Sequence, residues 1–342
     1  MYVVYFDSGT SNIRGYLLKT EGNLIVIDSL ELNVGSKDSS ISGSNKVFIL
    51  GLYELYNKLL GKNKITDRNV HDIYASGMIT SPFGLKEVSH IPTPVSLDKL
   101  YQNIYIHFEP ELFKREIHLI RGVKTVSENT IPCLSNIGNI NNMRGEEIEA
   151  FGILADIPDE YKNDSIAIFL PGSHTHILHT RHGELLDVLS TFSGELYHAI
   201  SADTILSHSI LPNDDFLDKS MILMGFENLK KYGVNRALYI AHAMKIFNVC
   251  NSRQRKSYLE GVINGGVVLA FDHTMRNKWK QIDKILIAGS NIGVANVYKI
   301  LLEKKFKRIK ISTIKAPRNF GFAAMGFMEI LKKEREKCQN QF

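Results

Sequence analysis

The feature that most narrows what this chain can fold into is a pattern that occurs twice. Tyr2-Val3-Val4-Tyr5-Phe6 is rich in β-formers and runs into Asp7-Ser8-Gly9-Thr10-Ser11-Asn12, which is turn chemistry. The strand resumes over Ile13 to Leu18, and Glu21-Gly22-Asn23 turns it into Leu24 to Ile27. Far downstream the same order returns. Ser165 to Leu170 reads as a strand, Pro171-Gly172-Ser173-His174 as a turn, Thr175 to Thr180 as a strand, His182-Gly183-Glu184 as a turn and Leu185 to Leu189 as a strand. Two meanders with a Gly-[Ser/Thr] first turn and a glycine second turn predict duplicated halves that face each other.

The rest of the chain supplies what such halves need. Apolar residues at helical spacing pass through Leu50, Tyr53 and Leu60, and His71 to Ala75 and Glu116 to Gly122 read as further strands. Met143-Arg144-Gly145-Glu146-Glu147 opens a helix to about Asp156, and helices are predicted over 196–211, 216–231, 235–250 and 253–277. Lys284 to Ala288 is a buried strand ending in Gly289-Ser290-Asn291 with a helix behind it, Lys310 to Ile314 is a last strand, and a final helix starts near Gly321. A length of 342 residues favours two domains, 1–143 and 144–342, with the last helix free to pack back on the first.

Composition excludes several classes. No apolar run approaches the ~20 residues that cross a bilayer, and MYVVYFDSGT lacks a basic flank and a cleavage site, so a cytoplasmic protein without a membrane partner is expected. Cys133, Cys250 and Cys338 form no CxxC pair, which argues against a disulfide framework or a thiolate zinc site. The 41 basic against 36 acidic residues leave a weak excess, concentrated at 304–310 and 332–337 with acids interleaved in the second run. Those runs read as solvated helix faces, and no nucleic-acid partner is expected. The sequence leaves homo-oligomerisation open.

Chemistry is expected at the turns. A hairpin turn with a glycine and a hydroxyl presents backbone N–H groups that can hold phosphate oxygens. Asp7, at the end of its strand, is placed to hold a hard cation through water. The same residues also suit plain β-turns. Two equivalent turns together with the strand–Gly289-Ser290–helix element favour a nucleotide site. In Arg144-Gly145-Glu146-Glu147 the acids suit the positive end of a helix dipole, and equally a general base held where two halves meet. Arg14 and Arg144 are both candidates to clamp a small organic anion through a guanidinium fork. His174, His176, His179 and His182 lack an accompanying acid or thiolate at metal-ligand spacing, and no P-loop, GxGxxG or HExxH motif occurs.

Taken together, Phe6 to Arg14, Ala75-Ser76-Gly77-Met78-Ile79, Met143 to Glu147, Leu170 to His174 and Ser193-Gly194-Glu195-Leu196 resemble, in order and from end to end, the 2-dehydro-3-deoxygalactonokinase family. That family lies within the actin/Hsp70/sugar-kinase superfamily. The resemblance implies an α/β fold of two ribonuclease-H-like domains with an interdomain cleft, using ATP and Mg2+. The implied reaction is phosphorylation of the terminal hydroxyl of 2-dehydro-3-deoxy-D-galactonate. Under it Asp7 holds magnesium; Gly9, Thr10, Asn12, Gly172, Ser173 and His174 take the phosphates; and Gly289 and Ser290 lie toward the nucleoside. Ser76, Gly77, Met78 and Glu195 line the sugar-acid pocket with Arg14 or Arg144 on the carboxylate, and Glu146 or Glu147 is the base.

The chain departs from the family at two places. Ser8 stands where a Trp usually follows the Asp, and His176-Ile177 stand where Lys-Trp is usual. An exopolyphosphatase-type phosphohydrolase and a non-catalytic ATP-gated binding protein are the competing expectations.

Overall fold

In the computed structural model the described residues are 1–127, 129–210, 215–289, 292–316 and 320–339. They form two compact units, one of 1–163, 182–188 and 316–342, the other of 164–181 and 189–315. The division therefore falls after Asn163 rather than at 143, because the helix opened by the Arg144 segment packs within the first unit.

The first unit is built on strands β1 (Tyr2–Ser8), β2 (Ile13–Lys19), β3 (Ile25–Leu32) and β4 (Val70–Gly77). Helices α1 (Ser36–Ser42) and α2 (Lys46–Lys62) lie between β3 and β4 in sequence. After β4 come β5 (Ile91–Pro92), α3 (Leu97–Gln102), β6 (Tyr105–Glu109), β7 (Arg115–Leu119), β8 (Val123–Lys124), β9 (Asn142–Met143) and α4 (Glu146–Asp156). The main sheet runs β3-β2-β1-β4-β7-β6, and β5-β8-β9 form a small second sheet. β1 is antiparallel to β2 and parallel to β4, so the end of β1 lies between a hairpin turn and a parallel crossover.

Both faces of β1 are covered, which explains why it reads as a nearly continuous apolar run. Val4, Phe6 and Ile13 pack with Phe48, Leu52 and Leu55 of α2, which recur at helical spacing. On the opposite face Tyr5 stacks on Phe327 at 4.2 Å between ring centroids, and Tyr74 packs against it tilted, at 5.1 Å. Phe327 belongs to the last helix of the chain.

The second unit carries β10 (Ile166–Leu170), β11 (His174–Arg181), β12 (Glu184–Phe192), α5 (Gly194–Asp203), α6 (Lys219–Tyr232), α7 (Val234–Ile246) and α8 (Ser252–Thr274). It continues with β13 (Lys284–Ile287), α9 (Ile292–Lys305) and β14 (Lys310–Thr313). Its sheet order is β12-β11-β10-β13-β14, the same meander followed by parallel strands as in the first unit. α10 (Gly321–Gln339) then returns to the first unit against α4.

The α4–α10 crossing depends on two missing side chains. A Cβ on Gly326 would lie 1.9 Å from the Ile148 carbonyl oxygen, and one on Gly152 would lie 2.1 Å from that of Phe322. Since backbone cannot move aside cheaply, Gly326→Ala is expected to destabilise the protein by ~3 kcal/mol. A denaturation midpoint equal to that of the native chain would show that the two helices do not cross this closely.

Candidate active site

The two halves repeat each other down to the packing of the turns. In the first unit the turn carbonyls of Gly9 and Thr10 accept from the N–H groups of Ser36 and Lys37, and a Cβ on Gly35 would lie 2.2 Å from the Thr10 oxygen. In the second unit the Ser173 carbonyl accepts from Glu195 N–H at 2.8 Å, and a Cβ on Gly194 would lie 2.2 Å from the Gly172 oxygen. Each turn thus hands carbonyl oxygens to the helix start that follows its third strand. Thr10, Gly172 and Ser173 are exposed. Within the first turn the Gly9 N–H is itself used, donating to the Asn12 carbonyl at 2.8 Å. Gly289 completes the second-unit group, its Cβ position 3.3 Å from Pro171. Ser290 lies outside the described residues.

In the first unit, strand pairing sets a row of polar residues across one face. Ser76, Asp7, Arg14 and Glu31 are successive cross-strand partners on β4, β1, β2 and β3. Arg14 Nε donates to Glu31 at 2.9 Å, and Asn12 Nδ2 also donates to Glu31. Burial would lower the Arg14 pKa, but the Glu31 hydrogen bond and charge raise it, so the guanidinium is already compensated.

The start of α4 joins this row through glycine. Gly145 has φ +111°, a conformation open to glycine, and a Cβ there would lie 3.4 Å from Gly77 Cα. Burial lifts the Asp7 carboxyl to about 6, Arg14 opposes the rise, and Glu146 and Glu31 add to it. Glu149, one turn after Glu146, is pushed up to about 8 by burial, with Asp7 and Glu146 adding and Arg14 opposing. The carboxyls of Asp7, Glu146 and Glu149 therefore sense one another. Sequence reasoning missed Glu149, although its spacing of three from Glu146 puts both on one helix face.

The two adjacent acids have different surroundings. Glu147 is fully buried, and both of its oxygens lie 2.9 Å from the Gly145 N–H that donates to them. Burial and the neighbouring Glu146 raise its pKa to about 8, against the pull of backbone hydrogen bonds and Arg144. Glu146 is half-buried. Arg144 Nη1 donates to Thr80 Oγ1 at 2.7 Å, and Thr80 Oγ1 donates to the Gly77 carbonyl at 2.9 Å. That chain fixes the arginine over the turn after β4.

Not every expected site residue faces outward. Ser76 is fully buried and hydrogen bonded to Tyr5 OH at 2.6 Å, so this member of the row is closed off instead of lining a pocket. Gly77 is buried and Met78 half-buried beside it. Ser8, in the usual Trp position, is buried; it donates to the Ser76 carbonyl and accepts from Ile79 N–H, tying β1 to the turn. Glu195 belongs to the second unit, 3.2 Å from His174 Nε2, whereas Arg14, Arg144, Gly77 and Met78 lie in the first. His176 is buried with Nδ1 3.0 Å from Ser190 Oγ, and Ile177 is core.

Asp7 and Glu149 offer hard oxygens that burial first, and neighbouring carboxyls second, make reluctant to ionise, a penalty that a divalent cation relieves. Among the described residues no group of three or more His, Cys, Asp or Glu is arranged to chelate an ion. Magnesium is commonly held by one or two carboxylates with water and substrate phosphates, and Asp7 fits that role. No helix among the described residues is long and apolar enough to cross a membrane.

Among solved structures, one from Sinorhizobium meliloti, described provisionally as a 2-dehydro-3-deoxygalactonokinase, superposes with a TM-score of 0.73 at 18% identity. The match covers 97% of this chain and 99% of that one, and the two share a fold. The activator of 2-hydroxyisocaproyl-CoA dehydratase from Clostridium difficile gives a TM-score of 0.49 at 13% identity, covering 98% of each chain. No curated protein matches. The family model for 2-keto-3-deoxy-galactonokinase matches residues 7–316, and the chain belongs to that family of kinases.

Proposed function

We propose that the chain is an ATP- and magnesium-dependent sugar-acid kinase that phosphorylates the terminal hydroxyl of 2-dehydro-3-deoxy-D-galactonate to the 6-phosphate, in the cytoplasm. The observation that carries this reading is the meeting of Asp7, at the end of β1, with the acids that open α4, in a chain of this kinase family. Glu146 accepts the proton of the acceptor hydroxyl. Glu147 is assigned to structure, since its carboxyl is enclosed and committed to Gly145 N–H. Gly9, Thr10 and Asn12 on one turn, and Gly172, Ser173 and His174 on the other, take phosphate oxygens, with Gly289 toward the nucleoside. A cation held by Asp7 would supply charge neutralisation at the transferring phosphoryl group. Because that transition state is loose, positioning and charge dominate over proton removal.

Release of ADP, measured across a panel of 2-keto-3-deoxy acids, tests the reading. The expected result is turnover that requires ATP, magnesium and the galactonate-derived acid, with the 6-phosphate as product. Phosphate release from polyphosphate or ATP with no sugar acid would instead favour a phosphohydrolase.

A further inference from the structure

Arg14 is compensated by Glu31, and that leaves open which cations meet the acid end of the substrate. A second basic group stands within the first unit. Arg144 and Arg121 are both half-buried, and among the described residues neither forms an ion pair. Arg121 is held by its Nε, which donates to the Ser89 carbonyl at 2.7 Å, and by Nη2, which donates to Ser89 Oγ at 2.6 Å. Among the described residues Nη1 has no hydrogen-bond partner. His90 follows Ser89, with Nδ1 3.5 Å from Arg144 Nη2 and a buried Nε2 that has no hydrogen-bond partner.

The backbone is shaped to bring this group together. A Cβ on Gly122 would lie 2.5 Å from the Met143 carbonyl oxygen, 2.7 Å from Arg144 Cγ and 2.9 Å from His90 Cδ2. Without a side chain there, the strand after Arg121 closes on both residues. The group is electrically one-sided. Burial pushes His90 down to about 4, and Arg144, Lys124 and Arg121 push it the same way. Burial and Arg121 lower the Arg144 pKa, while Glu147 and Glu87 oppose them. Glu147 is committed to Gly145 N–H and Glu87 is exposed. Half-buried cations that repel one another without a carboxylate partner are costly unless a ligand supplies the anion.

We propose that Arg144, Arg121 and the neutral imidazole of His90 form the recognition site for the carboxylate of a 2-keto acid, with Thr80 and Ser89 fixing the two guanidinium groups. Arg121 and His90 are then specificity-determining residues that distinguish an acid from a neutral sugar. The proposal rests on the sugar-acid kinase reading.

Two measurements separate this proposal from that reading. In the first, the full-length native protein and Arg121→Gln are titrated with pyruvate, the simplest 2-keto acid, by calorimetry, with inorganic phosphate as the comparison anion. A guanidinium–carboxylate pair is worth about ten- to a hundred-fold in affinity, so Arg121→Gln is expected to weaken pyruvate by that factor. Equal pyruvate affinity in both proteins, or a loss of phosphate affinity in Arg121→Gln as large as the loss for pyruvate, overturns the proposal even if the kinase reading stands. In the second, kinetics are compared on the 2-keto-3-deoxy acid and its C1 amide. Arg121→Gln is expected to raise KM for the acid about tenfold or more with kcat nearly kept and to raise it much less for the amide, and His90→Gln to act in the same direction more weakly. An equal loss on both acceptors marks a structural role and overturns the proposal. If the native protein binds pyruvate but phosphorylates no sugar acid, the kinase reading fails while the anion site survives.

Discussion

Glu146→Gln is expected to lower turnover by about 10²–10⁴-fold, the range a positioned general base contributes, with KM for the sugar acid little changed. The neighbouring Glu147→Gln should retain most of its activity. Glu147 carries a proton well into the neutral range because it is buried beside another acid, and a glutamine amide reproduces the shape of that protonated acid. Its carbonyl oxygen can still accept from Gly145 N–H. A steady-state comparison of the two variants therefore assigns the base. An inactive Glu147→Gln beside an active Glu146→Gln would exchange the roles of the two acids, and two active variants would remove proton abstraction from the mechanism.

Asp7→Asn is expected to move activity and stability in opposite directions. Loss of the carboxylate removes charge stabilisation at the transferring group, which typically costs on the order of 10²–10³-fold in turnover. Stability should rise. The Asp7 carboxyl ionises at about 6 in the folded chain against an ordinary 3.8, chiefly because it is buried. As pH climbs between those values the unfolded chain gives up this proton while the folded chain keeps it, so folding is progressively penalised, and above about 6 the penalty is complete. Asparagine carries no such penalty. The melting temperature of Asp7→Asn should therefore exceed that of the native chain near pH 7.5 without magnesium, and the gap should close toward pH 4. Magnesium should raise the native melting temperature and leave that of the variant unmoved. For the same reason native turnover should fall as pH drops through about 6. Identical melting curves at both pH values would mean the carboxyl is not strained, and full turnover would exclude Asp7 from the site.

That strain is a property of the row as a whole. Arg14 and Glu31 sit beside Asp7 by strand register, yet Arg14 only partly offsets the burial of the carboxyl because it is shared with Glu31. A fully neutralised Asp7 would be more stable and less able to take a cation, the usual tension between stability and activity at such sites.

The sequence determined most of the scaffold and little of the chemistry's detail. The meanders around Gly9 and Gly172, helix α4 and helix α8 are legible because each is set by local periodicity and turn residues. Residues 81–142 are poorly legible: β5, α3, β6, β8 and β9 are short, and their pairing partners lie outside any local window. The α1 helix, built from Ser36-Lys37-Asp38-Ser39-Ser40, has no apolar period and is fixed by its bonds to the Gly9-Thr10 turn. The pairing of the last helix with α4 is open in sequence and is decided by Gly152 and Gly326, because only a contact between remote backbones makes those glycines necessary. Likewise Glu146 and Glu147 are equal as letters. One is enclosed and bound to Gly145 while the other senses Asp7, and burial and charge neighbours, which set what a carboxyl can do, exist only once the chain has folded.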